Sequence, residues 1–238
     1  MMKKTIISIL VLVVAGIGFQ NLLLAQDCAT PTQLGRVVED GGTGAYSAIM
    51  YTDSTLKTHT IFRPKDLKVF GTDNKLPIIA WGNGACANSP WEHVNFLSEV
   101  ASHGFLVIAI GPMPQEGEQG RGRSHASQLL DAIDWAIAQN GDQASPFYNK
   151  VDVSKISVSG MSCGGLQTLE VAPDPRITTA VVCNSGIIGN AGSGMPGMPA
   201  LTKDHLAKLH TPTLYLLGGE RDKAVATIEG HLSRHTWF

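Results

Sequence analysis

Charged residues are scarce in this chain. Asp, Glu, Lys and Arg make up 16% of 238 residues and leave a net charge of −2. That balance makes no electrostatic case for a nucleic-acid partner or for adhesion to an anionic membrane surface. Metal-ligand spacing is also missing. The eight histidines are scattered, with no His-Glu-x-x-His run and no paired Cys-x-x-Cys, so the sequence points to no metal. No internal repeat is visible, which sets aside a solenoid. Cysteine is limited to Cys28, Cys86, Cys163 and Cys183. An even number allows a pair of disulfides, but their pairing stays open, and buried free thiols are the competing reading.

Apolar residues are plentiful, at 43% of the chain, enough to build the core of one domain. The N-terminus adds a second feature. Lys3 and Lys4 precede a nearly unbroken apolar stretch from Thr5 to Ala25, interrupted only by Gln20 and Asn21. This is the pattern of an export signal. The expected division is a signal peptide over 1–25 and a folded domain over 26–238. Leu23 is larger than usual for the third position before a cleavage site, and the stretch is long enough to span a bilayer, so an uncleaved anchor is the alternative. Asp27, directly before Cys28, argues against a lipoprotein site. Export places the protein outside the cytoplasm, secreted or periplasmic, where disulfides persist. With the signal removed, no stable membrane association is expected.

Beyond residue 44 the pattern reads as strands, then as alternating strand and helix. The stretches 45–51 and 59–63 are β-type, with Pro64 ending the second. Leu76 to Trp81 is a buried-type strand. Ser89-Pro90-Trp91-Glu92 offers a capping box and a proline for a helix start, and Gly104 suits its end. Phe105 to Ile110 is the next strand, followed by a polar, glycine-rich loop to Gly122. A helix is expected from about Ser124 to Asn140, on Leu129, Ile133 and Ile137. Strands over 155–159, 177–183 and 213–217 follow, with a Gly/Pro/Met-rich loop at 189–199 and a short helix near 202–209. Continuously apolar strands separated by helices predict an α/β fold, a mostly parallel, doubly wound sheet. Ligands in such sheets bind beyond the carboxyl ends of the strands.

Read at those ends, the sequence places Gly160-Met161-Ser162-Cys163-Gly164 between a strand and a helix, the setting of a nucleophile elbow. Trp81-Gly82-Asn83-Gly84-Ala85-Cys86 follows an earlier strand, Asp222 the last one, and His231 and His235 come later. The order Ser, Asp, His is the one associated with this elbow. A serine hydroxyl needs a base to take its proton, histidine does so near neutral pH, and an acid orients the imidazole. Ser162 is the expected nucleophile, Asp222 the acid and His231 the base, with His235 as the alternative base. The N–H of Cys163 and one N–H from Asn83 to Ala85 are the expected oxyanion donors. This chemistry needs no cofactor.

These residues resemble the α/β-hydrolase superfamily, and within it the secreted esterases of the cutinase-like, polyester-hydrolysing and dienelactone-hydrolase-like branch. The resemblance covers roughly residues 45–225. It rests on the elbow at Ser162, the glycine loop at Gly82 to Ala85, and Gly218-Gly219 leading to Asp222. It implies an α/β-hydrolase fold and a serine hydrolase that cleaves carboxylic esters, small or polymeric, through an acyl-enzyme. An amidase or peptidase on the same scaffold is the near rival. The superfamily usually continues past the acid for some tens of residues before the chain ends. Here only the stretch from Lys223 to Phe238 follows, so the C-terminal part is expected to be shortened or cut off, and a catalytically inactive product is the rival of different class. Cys86 and Cys163 flank the oxyanion donors in this arrangement, and a disulfide between them would tie the two loops together.

The remaining candidates have blander readings. Asp222 also suits a helix N-cap. His93 and His103 read as surface or cap residues, His205 and His210 as solvent-facing, and His125 as a cap or cleft residue. Trp81 and Trp91 read first as core packing. The loop at 189–199 reads as a loose connection.

Overall fold

The computed structural model describes residues 40–113, 122–187 and 198–218, all within one compact unit, Val37–Phe238. The expected signal peptide over 1–25 lies outside the described residues. Among the described residues seven strands form one sheet: β1 Ala48–Tyr51, β2 His59–Pro64, β3 Leu76–Gly82, β4 Leu106–Ile110, β5 Val151–Met161, β6 Thr179–Cys183 and β7 Thr213–Leu216. The order across the sheet is β1-β2-β4-β3-β5-β6-β7. β1 and β2 pair antiparallel, as do β2 and β4; every later pairing is parallel. The mostly parallel sheet expected from the continuous apolar runs is what the chain forms. β4 is the extreme case, with all five residues buried, as a central strand covered on both faces must be.

Side chains alternate between the two faces of the sheet, and each face has its own cover. Ile78 and Ala80 of β3, Ile108 of β4 and Ile156 and Val158 of β5 share one cluster with Leu129, Ile133 and Ala136 of helix α2, Ser127–Gly141. Trp81, Val107 and Ala109 project to the opposite face. There they pack with Val94, Leu97 and Ala101 of helix α1, Val94–Ser102. Full burial of a side chain such as Leu97 contributes about 1.5–3 kcal/mol, so these stripes, more than local propensity, hold the helices in place. Helix α3, Cys163–Val171, starts directly behind β5 and packs Leu169 against Val182 and Ile187.

Element starts differ from the sequence reading where a side chain has another partner. The capping box at Ser89 is not built. The chain makes a 3-10 turn at Trp91–His93 before α1 begins at Val94, and no side chain caps either start. Pro90 turns the backbone early, and the Ser89 hydroxyl accepts the Trp91 N–H, at 3.4 Å. α2 begins at Ser127 rather than Ser124. Ser124 is fully buried and bonds instead to the Gln167 side-chain amide, at 3.0 Å through its hydroxyl and 3.1 Å through its carbonyl. β5 starts early, at Val151, and its register against β3 shifts between Pro77 and Ile78. Proline has no N–H to give the ladder, and the excess residues of β5 form a bulge in which Asp152 accepts the Ser154 hydroxyl at 2.6 Å.

Candidate active site

β5 delivers the chain to the site and α3 carries it away, leaving Ser162 alone between them with φ 55° and ψ −113°. A residue with a Cβ is strained at positive φ, at a cost of order 1–3 kcal/mol, and the surroundings supply the restraint. The Ser162 N–H donates to the Cys183 carbonyl at 3.0 Å. Its own carbonyl accepts the Gly165 N–H at 3.0 Å, the Leu166 N–H at 3.3 Å and the Ser185 hydroxyl at 2.5 Å. Ser162 itself is exposed at the tip.

The glycines of the elbow serve close packing. A Cβ on Gly164 would lie 2.0 Å from the Gly82 carbonyl oxygen, and one on Gly160 would lie 2.4 Å from the Gly164 backbone. On Gly165 it would meet the Ser185 Cβ at 2.4 Å. The first turn of α3 therefore lies directly against the ends of β3 and β5. Contact at that range brings the loop after β3 beside the nucleophile, where the Asn83 carbonyl accepts the Gly164 N–H at 3.0 Å.

That loop is built with equal restraint. Asn83 is buried, and its side-chain amide donates to the carbonyls of Ala87 at 3.0 Å and Ile110 at 2.7 Å. Ala85 and Cys86 both stand at positive φ, 53° and 50°, in the single turn Gly84–Cys86. The Arg123 guanidinium donates to the Ala85 carbonyl, and the Ser124 N–H donates to that of Cys86 at 2.9 Å. A disulfide then joins Cys86 to Cys163, with Cα atoms 5.2 Å apart. Asn83, Ala85, Ser162 and Cys163 are thus gathered at one end of the sheet. Asp222, His231 and His235 lie outside the described residues.

The described histidines are mostly engaged elsewhere. His59 is buried between Thr58 and the Gln128 carbonyl. His103 bonds the Glu99 carboxylate at 2.9 Å. His93 is half-buried at the N-cap position of α1, as the cap reading expected, with its ring 5.2 Å from that of Trp81 in an edge-on contact. His205 is not the solvent-facing side chain expected. Its Nε2–H donates to the Leu169 carbonyl at 2.7 Å, fastening the turn Lys203–Lys208 to α3. His125 is exposed and its N–H donates to the Gln128 side chain. Trp81 is core, as expected.

Cys183 is a free thiol near the elbow. Burial pushes its pKa up, which keeps it protonated and a poor nucleophile. Among the described residues no cluster of side chains could hold a metal ion. Sequence reasoning missed Ser185 and Arg123. The stretch Asn184-Ser185-Gly186 was visible after a strand, but nothing in it signals a bond to Ser162.

Comparison with known proteins agrees with this geometry. The "PET hydrolase-like" family model matches residues 72–234, a range that includes Asp222 and His231. Similar curated proteins include "Cutinase est1" of Thermobifida alba, 32% identical over 124 residues, covering 51% of this chain and 37% of the relative. "Cutinase 2" of Thermobifida cellulosilytica is 32% identical over the same length, covering 51% and 42%. "Cutinase cut1" of Thermobifida fusca is likewise 32% identical, with 51% and 34% covered. The matches thus span less than half the length of these relatives. With its sheet order, its elbow and a family match over most of its length, the chain belongs to the PET hydrolase-like family of α/β-hydrolases.

Proposed function

We propose that this protein is a serine hydrolase that cleaves carboxylic esters through an acyl-enzyme on Ser162. The observation that carries this reading is the exposed serine held at φ 55° between β5 and α3. Few roles other than presenting a hydroxyl require that backbone at that place.

In this mechanism His231, oriented by Asp222, takes the Ser162 proton as Oγ adds to the ester carbonyl carbon. The oxyanion that forms accepts hydrogen bonds from the Cys163 N–H and from one N–H of the segment Asn83 to Ala85. Collapse expels the alcohol, which leaves with the proton held by the histidine. Water then repeats the sequence on the acyl-enzyme and releases the acid. Preorganised donors of this kind are worth about 2.7–4 kcal/mol each in the transition state, and the disulfide and the glycine packing keep their segments in place. No cofactor takes part. The names of the relatives, cutinases and PET hydrolase-like proteins, favour a small or polymeric ester as substrate. The basic start and apolar stretch over residues 1–25 favour a secreted or periplasmic enzyme, free of the membrane if that stretch is a cleaved signal.

A fluorophosphonate probe on the intact protein tests the reading. Labelling that Ser162→Ala abolishes supports it; well-folded protein that takes no label overturns it in favour of a non-catalytic relative. Turnover of an aryl ester but not of the matching anilide separates an esterase from an amidase.

A further inference from the structure

We propose that the Ser185 hydroxyl orients the Ser162–Cys163 peptide and so aims the Cys163 N–H at the oxyanion. This role rests on the hydrolase reading above. A trans peptide is planar, with its C=O and N–H pointing in opposite directions. The carbonyl of Ser162 and the amide of Cys163 belong to one such plane, so whatever holds the carbonyl also directs the N–H. Among the described residues, three donors hold that carbonyl. Two are the Gly165 and Leu166 N–H groups, which any helix start supplies. The third is the Ser185 hydroxyl at 2.5 Å, arriving from a different strand end.

Ser185 is well placed for the task. It is buried and lies two residues past β6. The preceding Asn184 is at φ 45°, with its N–H bonded to the Leu216 carbonyl at 2.7 Å. The turn is therefore anchored to β7 on one side and to the elbow on the other. Gly165 gives Ser185 its room, because a Cβ there would meet the Ser185 side chain. A short hydrogen bond to the carbonyl also polarises the peptide and strengthens its N–H as a donor. Ser185 touches neither substrate nor the reacting atoms. It is a positioning residue.

The test compares wild type, Ser185→Ala, Ser185→Cys and Ser102→Ala. Ser102 is another buried serine whose hydroxyl donates to the Glu99 carbonyl at 2.6 Å, far from the elbow in the chain. The readouts are kcat and KM on an aryl ester, inhibition by phenylboronic acid, and thermal unfolding. Boron accepts the Ser162 oxygen, the serine proton passes to the base, and the tetrahedral adduct carries an oxygen at the oxyanion position. Ser185→Ala is expected to lower kcat about tenfold, the scale of one neutral hydrogen bond, and to weaken boronate inhibition by the same factor while KM holds. Ser185→Cys, with a weaker donor, falls between the two and carries the test if Ser185→Ala does not fold. Ser102→Ala loses stability and keeps kcat and inhibition. Unchanged kcat and inhibition in both Ser185 variants overturn the role of Ser185 alone. A wild-type protein that neither hydrolyses the ester nor takes a fluorophosphonate overturns the hydrolase reading, and this role with it.

Discussion

Cys86 and Cys163 stand with their Cα atoms 5.2 Å apart, and the disulfide between them joins the loop after β3 to the residue that follows Ser162. The two cysteines are 77 residues apart in sequence. Closing a loop of that size restricts the unfolded chain, and the entropic model puts the stabilisation at about 4.5 kcal/mol. The double variant Cys86→Ser/Cys163→Ser is expected to lose stability on that scale and to become indifferent to reductant, whereas wild type shifts to a lower urea midpoint when reduced. Identical midpoints for the two proteins under oxidising conditions would sink the idea.

A second expectation separates two glycines. At Gly164 an added Cβ would sit 2.0 Å from a backbone oxygen of Gly82, and neither partner is a movable side-chain tip. At Gly141, the last residue of α2, an added Cβ meets nothing within 4 Å. Gly164→Ala is expected to abolish folding or to cost several kcal/mol (roughly 3 or more) by overpacking. Gly141→Ala is expected to gain about 0.4–1 kcal/mol through the unfolded state. Soluble expression and chemical unfolding of the pair check both signs.

The contrast between those glycines shows what the sequence could disclose. Hydrophobic runs identify strands because burial demands them, so β3, β4 and the core of β5 were legible to within a residue or two. The elbow was legible because its glycines and serine are adjacent in the chain. The function of those glycines in packing was not, since Gly82 and Gly164 meet only after the sheet has formed. Long-range hydroxyl partnerships left no trace either. Ser124 looked like a helix start and proved to be a partner of Gln167, 43 residues on. Ser185 follows a strand in a short Asn-Ser-Gly stretch that carries no mark of its partner, yet its hydroxyl bonds the nucleophile's carbonyl.

His59 makes stability depend on pH in a defined direction. The Gln128 carbonyl only accepts, so His59 Nε2 carries the hydrogen in that 2.9 Å bond, and Nδ1 is left to accept from the Thr58 hydroxyl. Burial holds its pKa below the ordinary value of 6.5. Above that value both folded and unfolded chains are neutral at this site, and the full stability is present. As pH falls below it, the unfolded chain takes up a proton that the folded chain refuses, so stability is lost towards the lower folded pKa. Half-buried His93 is shifted in the same direction by burial. Urea midpoints at about pH 7.5 and about pH 5 should fall further in wild type than in His59→Gln. An equal fall in both would show that this histidine carries none of the dependence.

The last expectation concerns the nucleophile's own backbone. At an ordinary site, replacing alanine by glycine costs roughly 0.5–1 kcal/mol. At Ser162 the order should reverse, because φ is 55° and only a residue without a Cβ is unstrained there. Ser162→Gly is expected to be more stable than wild type by about 1 kcal/mol, the lower end of the strain such a residue stores. Ser162→Ala keeps the Cβ and should show no such gain. Both variants should lose fluorophosphonate labelling. Thermal unfolding of the three proteins side by side decides the matter. A glycine variant less stable than the alanine variant would mean that the elbow is relaxed, and that the hydrogen bonds from the β6 turn restrain nothing under tension.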